Sequence, residues 1–123
     1  MIDKNLSFVR SLCAGEIEPS VVFPYPEMVA EERETLAAVI DAVDTLLEER
    51  GEDFRSWDEA GQMPAEFVEE LREFGFFGLI VPEEYGGMGF GNMAYSRTLQ
   101  QVAFHDATVA LTIGAHSSIG MRG

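Results

Sequence analysis

Apolar residues recur at helical spacing in five stretches of this chain, and glycine and proline punctuate the segments between them. A short helix is predicted from Leu6 to about Leu12, ended by Gly15. Residues 16–26 read as an extended arm, because Pro24 and Pro26 bias Phe23 and Tyr25 toward extended backbone. Pro26 is expected to open the next helix, where its missing N–H costs nothing. In that helix Leu36, Val39, Ile40, Val43 and Leu47 form one stripe, with Glu and Asp filling the opposite face. Gly51 is the expected stop. Gly51–Met63 then reads as a loop, with Trp57 anchoring the connection. Pro64 starts another helix, carrying Phe67, Val68, Leu71 and Phe74 on one side and four glutamates on the other, and Gly75 ends it.

Between Phe74 and Phe90, 9 of 17 residues are large and apolar, yet six glycine or proline residues forbid a long helix there. Phe76–Val81 allows a buried strand; a compact apolar loop suits the glycines better. Asn92 can cap a helix running to about His105, with Leu99, Val102 and Ala103 along one face. Asp106 can cap a last helix from Ala107 toward Ile119. That helix is apolar nearly all round, which predicts enclosure on every side. In so small a domain, full enclosure calls for a neighbour beyond these residues. The predicted fold class is all-α, with one face awaiting a partner.

Composition adds the charge balance. At 123 residues there is room for one modest core. The net charge of −14 is unevenly spread: residues 1–73 hold 19 acids against 6 Lys/Arg, and residues 74–123 hold 3 against 2. The first part therefore presents a solvated acidic face, while the second is nearly neutral and rich in Phe, Gly and Met. Such acidity argues against nucleic acid and anionic membrane as partners, since both need basic patches. No apolar run approaches the roughly 20 residues that span a bilayer. Met1–Leu6 lacks a basic stretch followed by an apolar one, and it is not Arg-rich. A bacterial cytoplasm is the expected compartment, or the mitochondrial matrix once a presequence is removed. Cys13 stands alone and reads as a small core residue in a reducing compartment.

Several groups invite chemical readings that the spacing does not support. Gly86-Gly-Met-Gly-Phe-Gly91 fits neither G-x-G-x-x-G nor the Walker pattern, so its glycines read as tight turns and close packing. His105 and His116 lie eleven apart across a helix restart at Asp106 with no third strong ligand evident, which makes structural histidines the better reading. Ser117 and Ser118 sit outside G-x-S-x-G, and adjacency of His105 and Asp106 is not triad geometry. Glu83 and Glu84 form an acidic pair with nothing in the sequence to bury them or supply a charge partner, which suits a solvated turn.

Two stretches carry a family resemblance. Leu71-Arg-Glu-Phe-Gly-Phe-Phe-Gly-Leu-Ile-Val-Pro-Glu-Glu-Tyr-Gly-Gly-Met-Gly89 resembles the helix end and loop of acyl-CoA dehydrogenases. The arm from Ser7-Phe8 to Tyr25-Pro26, with Thr112-Ile-Gly-Ala-His-Ser-Ser-Ile-Gly120, is most similar to the very-long-chain branch. The resemblance implies a short helix and arm over 1–26 and an amino-terminal helical domain over 27–123. A middle β-domain and a carboxy-terminal four-helix bundle would complete the parent enzyme, which makes this chain a truncated part of it. It further implies FAD as cofactor, an acyl-CoA substrate, a homo-oligomer and an electron-transfer flavoprotein as acceptor. The catalytic glutamate of that branch belongs to the carboxy-terminal domain, so no catalytic residue is assigned here and the chain alone is expected to be inactive. FAD is not expected to bind it tightly.

By the same resemblance, the last helix supplies part of the wall around the acyl tail. Ala110, Leu111 and Gly114 are the expected substrate-binding residues. Ala110 and Gly114 lie one turn apart on the same helix face. Medium-chain relatives carry longer polar side chains at the matching positions, so small residues leave a deeper apolar slot. Each methylene buried there contributes about 0.8 kcal/mol, which favours long chains. The bland alternative is that both residues are small to admit a neighbouring helix. Two other readings of the whole chain stand beside this one. One is a free-standing helical interaction module without chemistry; the other is a fragment of an acyl-CoA oxidase.

Overall fold

The computed structural model describes residues 7–121, and among them the architecture is helical, without strands. Six α-helices follow one another: α1 (Phe8–Cys13), α2 (Ala30–Leu47), α3 (Gly51–Ala60), α4 (Ala65–Glu73), α5 (Asn92–His105) and α6 (Ala107–Gly114). The start of the first predicted helix at Leu6 lies outside the described residues. Ser7 caps α1 by accepting from the Arg10 N–H, and the arm beyond it contains one 3₁₀ turn at Pro19–Val21 that the two prolines did not announce. Cys13 is exposed, not a core residue, because α1 buries no side chain at all.

The α2 helix begins four residues later than Pro26. Val29 stays extended, and the Arg33 guanidinium donates to the Met28 carbonyl at 3.2 Å, occupying an acceptor that an earlier helical turn would use. Its apolar stripe buries Val39, Val43 and Leu47 and adds Leu46. The segment after it is not a loop. Gly51 opens α3, where Glu52 and Asp53 lie at the positive end of the helix dipole and Phe54 and Trp57 share a face. The real stop is Gly61, whose φ of 66° places it in the left-handed region, with its N–H bonded back to Asp58. Pro64 precedes α4, which buries Phe67 and Leu71 but leaves Phe74 exposed.

The core is one cluster. Val39, Val43, Leu46 and Leu47 of α2 meet Phe54, Phe67 and Leu71, then Ala94 and Val102 of α5 and Val109 and Ile113 of α6. The 74–90 segment joins them as a compact loop of two 3₁₀ turns, contributing Phe76, Leu79 and Phe90. No strand forms at Phe76–Val81, because the loop's backbone groups bond to one another: Met88 N–H donates to Gly78 O and Phe90 N–H to Leu79 O. Gly91, not Asn92, is the cap residue of α5, and Ala103 faces outward. Polar links tie the helices. Asp44 of α2 accepts from Gln101 Nε2 at 2.6 Å and pairs with His105 Nε2 at 2.7 Å, both on α5. Arg50 bonds Glu70 of α4 at 2.7 Å.

Candidate functional site

Asp106 does cap α6: its side chain accepts from the Val109 N–H at 2.8 Å. Beyond Gly114 the helix does not stop but loosens into a π-helical turn over Ala115–Gly120. The predicted enclosure on every side is not what these residues build. Val109, Ile113 and Ser117 are buried on one face, while Leu111 is 69% and Ile119 73% exposed. The packing against α5 reaches only one side of α6, so the side that carries Leu111 stays open.

The three residues assigned to the acyl tail divide between these faces. Ala110 is half-buried and packs against the core cluster. Gly114 is also half-buried, and a Cβ there would point at α5, 3.5 Å from Leu99 Cδ1 and 3.9 Å from the Tyr95 hydroxyl. The Tyr95 hydroxyl donates to the Gly114 carbonyl at 3.4 Å, and the Ser118 hydroxyl donates to the same oxygen at 2.6 Å. Leu111 stands on the open face. Ala110 and Gly114 therefore share the seam beside α5, with an ordinary contact awaiting one added methyl and no space for a long side chain directed at Leu99.

The glycine loop is a packing device. Gly86 and Gly89 have φ of 83° and 63°, and Gly87 lies so close to Val81 that a Cβ would overlap its carbonyl oxygen. At the following helix start, Gly91 N–H donates to Glu32 Oε1 at 2.7 Å, so a carboxylate already holds the place an incoming phosphate would take. These residues do not fit the diphosphate of a flavin dinucleotide. Glu83 and Glu84 are exposed at the start of a 3₁₀ turn.

The remaining candidates separate. His105 pairs with Asp44, not with the adjacent Asp106, and the His105 hydrogen bond is the largest of the effects that hold the Asp44 carboxyl below its usual range, followed by Gln101. His116 sits edge-on to Phe77, with ring centroids 5.0 Å apart. The Ser117 hydroxyl is buried without a partner among the described residues. These residues bring together no group of three or more His, Cys, Asp or Glu side chains able to hold a metal.

One further concavity lies where the sequence pattern over 51–63 reads as a loop but α3 forms. Phe54 and Trp57 of α3 pack with Phe67 of α4, and the Trp57–Phe67 centroids lie 4.8 Å apart. Beside them opens a cleft of about 200 Å³ between the end of α3 and the start of α6. The i, i+3 spacing of Phe54 and Trp57, with glycine at 61, was the signal for the helix that forms it.

Comparison with known proteins covers this same body. Residues 31–123 match the acyl-CoA dehydrogenase N-terminal domain family. Human mitochondrial very long-chain specific acyl-CoA dehydrogenase is 38% identical over 126 residues, covering 98% of this chain. The corresponding protein of Macaca fascicularis is 37% identical over 98% of the chain, and a probable acyl-CoA dehydrogenase, FadE10, of Mycobacterium bovis is 34% identical over 94%. The chain spans 18% of the length of the two primate proteins and 17% of the mycobacterial one. The matched region begins within the first turn of α2 and takes in every helix that contributes to the core. The chain belongs to the acyl-CoA dehydrogenase family and corresponds to its amino-terminal domain.

Proposed function

We propose that this domain serves an FAD-dependent acyl-CoA dehydrogenase that introduces the α,β double bond into long-chain acyl-CoA thioesters in fatty-acid β-oxidation. The observation that carries this reading is the similarity, across 98% of the chain, to a dehydrogenase named for very long chains. The flavin and the proton-abstracting glutamate belong to other domains of the parent, in keeping with a glycine loop whose adjoining helix start is already occupied by Glu32. A bacterial cytoplasm or a mitochondrial matrix would house it; two of the relatives are named mitochondrial and the third is mycobacterial. No helix among the described residues is long and apolar enough to cross a membrane. The parent is a homo-oligomer and passes its electrons to an electron-transfer flavoprotein.

Within that enzyme, Ala110, Leu111 and Gly114 line the distal end of the acyl tail. The open apolar Leu111 supports this role; Gly114 directs its Cβ at Leu99 of α5, so the reading that it is small to admit that helix stands beside it. The test is the chain-length profile of acyl-CoA-dependent dye reduction by the complete polypeptide carrying this domain. Gly114→Glu should lower activity on long chains and spare shorter ones, because a long polar side chain that Leu99 bars from the α5 seam would have to turn toward the tail. Gly114→Ala should leave the profile nearly unchanged, since its methyl meets Leu99 at contact distance. A Gly114→Glu enzyme that folds, binds FAD and keeps the parent profile would refute the assignment.

A further inference from the structure

The cleft between α3 and α6 has a composition that neither the fold nor the proposed dehydrogenase role requires. Its walls combine the rings of Phe54 and Trp57 and the Met63 side chain with two carboxylates, Asp58 and Asp106, and the Gln62 amide. Among the described residues, no Lys, Arg or His lines it. We propose that this cleft binds an organic cation on an apolar stem: a guanidinium or alkylammonium group such as an arginine or lysine side chain carries.

Three observations lead to a cation. An indole ring is the strongest π-face for a positive charge, and Trp57 lines a concavity large enough for a single extended side chain. Asp106 commits Oδ1 to the Val109 N–H, which leaves Oδ2 for a donor in the cleft, and Asp58 adds a second acceptor. An anionic ligand would meet two carboxylates and no compensating charge. The third observation is that the same aromatic cluster already holds a guanidinium elsewhere. Arg50 lies with its Cζ 5.1 Å from the Phe67 centroid, and Glu70 neutralises it at 2.7 Å. Aromatic ring plus carboxylate is thus an arrangement this domain uses for its own arginine. The cleft repeats that arrangement, and none of the described residues supplies its cation. The inference stands on α3, α4 and α6 alone and does not depend on the dehydrogenase reading.

Trp57 is the single tryptophan, so its emission reports on the cleft directly. The 123-residue chain is titrated with N-acetyl-arginine methylamide, with the uncharged citrulline analogue, and with a capped Gly-Gly-Arg-Gly-Gly peptide. The arginine compound should change Trp57 emission saturably and the citrulline analogue should not. Added salt should weaken the arginine response, as screening of two partly exposed carboxylates requires. Equal affinity of amide and peptide would identify the head group as the whole determinant; tighter binding of the peptide would point to a protein partner presenting it. Asp58→Asn and Asp106→Asn should each raise the half-saturating concentration by about 2–5-fold, in line with exposed ion pairs. Asparagine at 106 keeps the helix cap, so a loss there reads charge rather than folding. Absence of any saturable response, or an equal response to citrulline, overturns the proposal. So does a response that neither salt nor the Asn variants alter.

Discussion

Gly87→Ala should destabilise this domain more than its chemistry suggests, and the reason is local geometry. The backbone at Gly87 is not left-handed, so conformational strain is not the cause; its φ is absent from the positive set that includes Gly86 and Gly89. The cause is space. A Cβ at 87 would overlap the Val81 carbonyl oxygen and Val81 Cβ, and the first of these is fixed backbone that accepts from Gly89 N–H at 2.8 Å. Relief requires moving one side of the loop away from the other. That movement strains the neighbouring bonds from Gly87 N–H to Pro82 O at 3.2 Å and from Met88 N–H to Gly78 O at 3.0 Å. Losing two such bonds costs about 2 kcal/mol. Partial exposure of the adjoining Leu79 and Phe90 adds about 1–2 kcal/mol. The expected loss is about 3–4 kcal/mol, against a total of about 5–15 kcal/mol for a domain of this kind. Urea unfolding followed by Trp57 emission and far-ultraviolet circular dichroism measures it. With a slope of about 1.5 kcal/mol per molar, the midpoint should fall by roughly 2 M. Gly51→Ala is the control: nothing lies within 4 Å of its Cβ, and alanine should stabilise α3 by about 0.5 kcal/mol. A Gly87→Ala midpoint within about 0.5 M of the parent would refute the packing argument.

Two further outcomes follow from the polar contacts. Asp106→Ala removes the acceptor for the Val109 N–H and should cost about 1 kcal/mol in the same urea assay, whereas Asp106→Asn should stay close to the parent. The hydrogen bond to His105 lowers the Asp44 carboxyl below its usual 3.8, so the folded form binds fewer protons there than the unfolded chain. That contribution is complete above pH 3.8 and disappears as pH falls through the lowered folded value, so the slope of unfolding midpoint against pH in that acidic window should flatten in Asp44→Asn.

Much of the fold was legible because its signals are local. The α4 and α5 boundaries followed from Pro64, Gly75 and Asp106, each of which acts on the residues beside it. The failures came where a residue has two opposite uses. Gly51 reads as a stop, but without a left-handed φ it is merely a weak helix position, and the acidic first turn after it favours starting again. Pro26 reads as a helix opener, yet α2 starts at Ala30, where the Met28 carbonyl is engaged by Arg33, a side chain five residues away. Cys13 reads as a core residue by type, but no residue of α1 is buried and the thiol is exposed.

The site was legible to a different degree on each face of α6. Composition identifies a helix saturated with apolar side chains, and the i, i+4 relation places Ala110 with Gly114. What it does not encode is which side α5 covers. The answer lies in Leu99 and Tyr95, which approach Gly114 from α5 and leave Leu111, Phe104 and Ile119 in the open. An apolar helix with one seam filled and the opposite face exposed is stable in water only at the cost of that exposed surface, about 25 cal/mol for each Å² left uncovered. The small residues and the exposed large ones are therefore complementary parts of one design. Ala110 and Gly114 let α5 approach closely enough to hold α6 in place, and Leu111 then faces whatever apolar surface or acyl chain is brought against the domain.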